Sequence, residues 1–159
     1  MKILAFIAHP DDESVGLYTL LDKVEAIILY NPFECIDEER IKELRRLAYD
    51  FSIEVLEEDL QIPEEIYKKV DTIAVPSLNS RHIAHKYLAT YGSEICKVDQ
   101  KFNLMFYDVE MIESWSFPLE MHVAEDKREH LLKYYPSQSD LWLSDGKYWL
   151  FEGHVMVVR

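Results

Sequence analysis

The sequence predicts a single-domain α/β protein, Rossmann-like, with a mostly parallel sheet covered by helices on both faces. Three observations predict it. Short apolar runs without alternation recur along the chain, the pattern of strands buried on both faces. Amphipathic stretches of helical length lie between them. The 159 residues, 48% of them hydrophobic, suffice for one sizeable core.

Residues 2–8 (KILAFIA) form the first expected strand, followed by a helical stretch at 13–21 and a second buried strand at 24–30 (VEAIILY). Residues 37–51 give the clearest helix, with Ile41, Leu44, Leu47, Ala48 and Phe51 three or four apart on one face. Asp37, Glu38 and Glu39 occupy its first turn and Arg45-Arg46 lie further along, as the helix dipole prefers. A short strand at 53–56, a helix at 64–70 and a strand at 71–75 (DTIAV) follow. The loop 76–80 ends on Ser80, a suitable cap for a helix at 81–91. Strands are expected at 103–106, 111–115, 148–151 and 155–158, and a helix at 124–134. No repeat, low-complexity tract or linker divides residues 1–159.

Thirty acidic against seventeen basic residues give a net charge of −13. Such a surface repels nucleic acid and anionic membrane, and no Lys/Arg cluster offsets it. No apolar run approaches the length of a membrane span, and the run at 3–8 passes directly into acids, unlike a signal peptide. Cys35 and Cys96 lack C-x-x-C spacing and read as buried thiols in a reducing, cytoplasmic setting. A small-molecule ligand fits this balance, and homo-oligomerisation is left open.

The first strand ends in Ala8-His9-Pro10-Asp11-Asp12-Glu13. A surface turn needs neither a histidine nor three adjacent acids, which repel one another unless a cation sits among them or water screens them. In a parallel sheet ligands bind at the carboxyl ends of the strands. The stretch after the strand at 71–75 reaches the same edge, carrying His82-Ile83-Ala84-His85, whose imidazoles share a helix face at i and i+3. His9, Asp12 and one of these histidines make three N/O ligands, the usual protein share of a catalytic zinc.

These residues resemble the LmbE/PIG-L-like family of zinc-dependent N-acetylglucosaminide deacetylases. AHPDDE matches the first family motif, and His82-x-x-His85 is similar to the second, which usually reads H-P-D-H. Arg40-x-x-Glu43 before Ala48, and Lys127 through Ser137-Gln138, are similar to the family's helix after the second strand and its late helix. The resemblance implies removal of an N-acetyl group from an N-acetylglucosamine-containing small molecule by metal-activated water. It further implies His9, Asp12 and His85 as metal ligands, with Zn2+ as the cofactor, one per chain, or another divalent metal. Asp11 would be the general base, His82 would stabilise developing charge or protonate the leaving amine, and Arg40 would bind the sugar. The chain departs from the family in Ile83-Ala84 for Pro-Asp, in Gly16 alone for a glycine pair, and in a short connection at 31–36.

The plainer readings are a solvated acidic turn for AHPDDE and one surface and one core histidine for His82/His85. Glu13 reads as a helix-start or supporting residue. His122, His130 and His154 read as structural, Trp142 and Trp149 as core or pocket wall, and Glu57-Glu58-Asp59 as a solvated loop. A non-catalytic metal- or sugar-binding domain of the same fold is the alternative function. A dinucleotide-binding protein is disfavoured, since no G-x-G-x-x-G follows the first strand.

Overall fold

The computed structural model describes residues 1–57 and 59–157. Its main sheet has six strands: β1 (Ile3–Ile7), β2 (Val24–Leu29), β3 (Glu54–Leu56), β4 (Thr72–Pro76), β5 (Asn103–Tyr107) and β8 (His154–Val157). Their order is β3-β2-β1-β4-β5-β8, parallel except for β8, which runs antiparallel to β5. Two further short strands, β6 (Phe117–Pro118) and β7 (Phe151–Glu152), pair with each other outside this sheet.

Parallel neighbours on both sides bury β1 completely and explain its continuous apolar run. Its side chains alternate between two cores. Ile3, Ala5 and Ile7 face Leu44, Leu47, Tyr135 and Trp142, while Leu4, Phe6 and Ala8 face Ile73, Leu88 and Ala89. Helix α2 (Glu38–Phe51) covers the first face with α5 (Met121–Tyr134), and α4 (Ile83–Val98) covers the second. The remaining helices are α1 (Asp12–Gly16), α3 (Glu64–Lys69), α6 (Ser139–Ser144) and α7 (Lys147–Leu150).

Asp37 caps α2 by accepting from Glu39 N at 2.7 Å. Phe51 is the exception on that helix's apolar face, being exposed at its edge beside the His130 and Tyr134 rings. Chain connectivity runs outward from β1 to β3 on one side and from β4 to β5 on the other. The reversal opens a crevice beyond the carboxyl ends of β1 and β4.

Several expectations are corrected. Residues 111–115 form turns rather than a strand, because Asp108 gathers the local donors Glu110 N, Glu113 N and Ser116 Oγ. Residues 148–150 are helical, and only Phe151 of that stretch is strand. Helical structure at 13–21 is one turn of α1 followed by a 3-10 segment. Helix α4 starts at Ile83 and extends to Val98. Cys35 is exposed, unlike the buried Cys96. Glu58 and Val158 lie outside the described residues. Among those described, no helix is long and apolar enough to cross a membrane.

Two buried polar anchors fix α1 beneath the crevice. Lys127, fully buried on α5, donates to Val15 O at 2.6 Å and Phe151 O at 2.8 Å. Glu152, equally buried, lies 3.6 Å from Lys127 Nζ and accepts from Thr19 N and Thr19 Oγ1. Gly16 is required for close approach, since a Cβ there would stand 2.4 Å from the Tyr107 ring.

Candidate metal centre

At the end of β1 the chain turns sharply, and Asp11 takes φ 118° and ψ −23°. A non-glycine residue in such a region carries strain of about 1–3 kcal/mol, sustained only where surrounding contacts impose it. Here the buried Glu13 carboxylate accepts from Asp11 N at 3.2 Å, and Arg40 and Gln138 hold the Asp11 side chain.

The three adjacent acids face three different partner sets. Asp11 Oδ2 accepts from Arg40 Nη2 at 2.9 Å and from Gln138 Nε2. Asp12 Oδ2 accepts from Ala8 N at 2.9 Å and His9 N at 3.0 Å, and meets His85 Nε2 at 3.1 Å. Glu13 Oε1 accepts from Tyr135 Oη at 2.5 Å and Ser14 Oγ at 2.8 Å. Glu13 is therefore a supporting residue, fully buried beneath the turn.

His85 reaches the site from the first turn of α4. Its Nδ1 lies 3.0 Å from Ser80 Oγ, which also accepts from His82 N at 3.1 Å. Ser80 thus orients the histidine pair, while His82 itself occupies the cap position of α4. His9 Nδ1 lies 3.3 Å from His85 Nε2. One ligand atom from each of His9, Asp12 and His85 falls within 4.8 Å of the others.

Electrostatics separate the roles of these groups. Burial opposes charge on Asp12, but the neighbouring His85 and His9 outweigh it and hold the carboxyl well below its usual range. Burial also opposes charge on His85, and Asp12 reverses the balance upward. For His9, Asp12 and Glu34 overcome burial and push it up to about 9. Asp11 moves the other way for a carboxyl: burial and the Asp12 charge push it up to about 8, against the pull of Arg40. His82 is lowered by burial and by the adjacent histidines.

The crevice above these groups has a volume of about 400 Å³. His9, Asp11, Asp12, Arg40, His82 and His85 all line it, so the structure brings every sequence-selected site residue to one place. Val109, Leu141, Trp142 and Tyr148 form its apolar wall. Arg40 Nη2 is engaged by Asp11 and Pro10 O, the latter at 3.0 Å. His122 is exposed on α5, His130 is buried against Ser14, and His154 stands beside Glu152; none of the three lines the crevice.

Sequence reasoning missed Glu34, whose Oε1 lies 2.8 Å from His9 Nε2 and 3.2 Å from His82 Nε2. It also missed Glu110 on the crevice wall and assigned no role to Gln138. The available signal for Glu34 was positional. It follows β2, whose carboxyl end lies beside that of β1.

No family model and no curated protein matches the chain. Solved structures share its fold at low sequence identity. The conserved protein TT1542 from Thermus thermophilus aligns over 98% of this chain and 94% of its own, at TM-score 0.61 and 16% identity. The antimicrobial reagent A40926 pseudoaglycone deacetylase Dbv21 aligns over 92% of this chain and 86% of its own, at 0.62 and 10%. GalB, the 4-carboxy-2-hydroxymuconate hydratase from Pseudomonas putida KT2440, aligns over 100% of this chain and 97% of its own, at 0.59 and 13%.

Proposed function

We propose that the chain is a metal-dependent amide hydrolase that removes an N-acetyl group from an N-acetylglucosamine-containing small molecule, residues 1–159 acting as one domain. The observation that carries this reading is the convergence of His9, Asp12 and His85 on one point, beside a second, separately held carboxyl at Asp11. One of the fold neighbours is a deacetylase, which supports the choice of reaction.

The donor set fits zinc. Two imidazoles and a carboxylate are the N/O ligands that a catalytic zinc takes from protein, with a position left for water. The ligands have outer partners as such sites require, Ser80 for His85 and backbone amides for Asp12. When bound there, zinc supplies Lewis acidity that makes water a nucleophile near neutral pH.

Asp11 is the proton acceptor in this reading. Arg40 and Gln138 both engage its Oδ2, which leaves Oδ1 to take a proton, and its raised affinity suits a base working near neutrality. A cation among the ligands lowers that affinity and keeps the carboxylate ionised for the task. His82, anchored through Nε2, is assigned to stabilising charge on the acyl oxygen or protonating the departing amine. Arg40 is assigned to holding the sugar at the crevice wall while anchoring Asp11. The apolar wall at Tyr148 and Leu141 gives the sugar ring an apolar surface and limits water entry.

A panel of N-acetylated amino sugars, incubated with zinc-loaded protein and assayed for released acetate, tests this directly. Acetate release from at least one member is expected. Saturable binding of a sugar without acetate release would instead identify a non-catalytic binding domain.

A further inference from the structure

We infer that Glu34 is a positioning residue that fixes both His9 and His82 through a single carboxylate oxygen, so that metal affinity and the placement of His82 depend on one side chain. The inference rests on the metal-dependent reading of His9, Asp12 and His85 and assigns a function to the short connection between β2 and α2.

The geometry of His9 divides its two nitrogens between two surroundings. Nδ1 faces His85 Nε2 at 3.3 Å and Asp12 Oδ2 at 3.8 Å, the side on which the ligand atoms converge. Nε2 faces Glu34 Oε1 at 2.8 Å. A metal-ligating histidine nitrogen must be free of its proton, so the ring's one remaining hydrogen sits on Nε2 and is donated to Glu34. The carboxylate thereby fixes the tautomer, sets the plane of the ring and raises the basicity of Nδ1.

The same oxygen receives one more donor and pairs by charge with a second ring. Asn31 Nδ2 lies 3.0 Å from Glu34 Oε1, and His82 Nε2 lies 3.2 Å from it. Asn31 is itself held, since its Oδ1 accepts from Phe33 N at 3.1 Å in a turn that presents Glu34 to the rings. The His9 and His82 rings meet edge to face with centroids 4.5 Å apart, so each also limits the other's rotation. The opening of α4 offers no competing carboxylate to His82: Ile83 is exposed and Ala84 is fully buried. Glu34 comes instead from another loop and arrives from the solvent side, about half exposed.

The test compares Glu34→Ala, Glu34→Gln and Phe33→Ala with wild type. Zinc affinity is measured by chelator competition, and ring tautomers by long-range proton–nitrogen NMR. Glu34→Ala should weaken zinc binding by about 10–100-fold, the usual cost of losing an outer partner. It should also broaden the His9 and His82 ring signals, with Glu34→Gln intermediate because its amide oxygen still accepts. Phe33→Ala disturbs the same loop but leaves the carboxylate, and should retain both affinity and signals. Unchanged zinc affinity and ring signals in Glu34→Ala would overturn the inference, as would an equal loss in Phe33→Ala. Neither readout uses an amide substrate, so failure here is distinguishable from failure of the deacetylase reading.

Discussion

Replacing Asp11 and Asp12 separately by asparagine should produce two different defects, although the residues are adjacent. Asparagine at 11 can keep its carbonyl oxygen where Oδ2 now accepts from Arg40 and Gln138. The Asp12 contacts to Ala8 N, His9 N and His85 are untouched by that change. In the metal-free chain burial and the Asp12 charge raise the Asp11 carboxyl and favour its neutral form, which the amide resembles. The expected stability change at pH 7 is therefore small, under about 1 kcal/mol. Loss of the proton acceptor should lower turnover by about 10²–10⁴-fold, or about 3–5 kcal/mol of barrier. Metal content should stay at one ion per chain. Asparagine at 12 removes the charge that holds both histidines, and zinc affinity should fall by more than about 100-fold, beyond what an outer partner costs. Elemental analysis of purified protein, with acetate release at saturating zinc, reads both effects. A metal-replete Asp11→Asn protein with near wild-type turnover would refute the assignment of the base. Equal metal loss in both variants would make the pair a joint binding site.

His85→Ala should abolish stable metal uptake while the exposed His122→Ala should not, as elemental analysis would show. His82→Ala should retain metal but lose about 10²–10³-fold in turnover, and unchanged turnover would remove His82 from the reaction. His130 supplies a pH test outside the site. Burial, with the charges of Lys133 and Lys127, lowers it from 6.5 to about 4, so the unfolded chain binds the extra proton between those values. Its contribution is fully present above pH 6.5 and is lost as pH falls toward 4, about 3 kcal/mol in all. Urea unfolding across that range should show a steeper decline for wild type than for His130→Asn. Substituting Lys127 by Met should destabilise the fold by about 3–5 kcal/mol, because Glu152 would remain buried without its cation, and thermal melting would detect it.

The strand–helix alternation was legible because the local signals agree with the tertiary environment. An apolar run such as residues 3–8 suits a strand buried on both faces, and the 37–51 periodicity suits a helix with one face on a core. The candidate metal ligands were legible for a related reason. Two of them follow one strand and the third follows another, and the sheet's topology brings those strand ends together. At 111–115 and 148–150 legibility fell, since the apolar and aromatic residues there serve turns and a short helix tied by side-chain hydrogen bonds.

The sequence by itself determined the sheet, its carboxyl edge and the chemistry available there, because those follow from periodicity and from residue type. Tertiary structure alone decided which partners each acid takes. Asp11, Asp12 and Glu13 are chemically similar neighbours, and their separation comes from partners far along the chain: Arg40 and Gln138, His85, and Tyr135. Gln138 reaches Asp11 because the preceding Ser137 is clamped by Glu43, which explains physically why the residues of Arg40-x-x-Glu43 and Ser137-Gln138 belong to one device. Glu34 was hidden for the same reason. A hydrogen bond of 2.8 Å to His9 depends on a turn, a ring orientation and a strand register, none of which is encoded at position 34 itself.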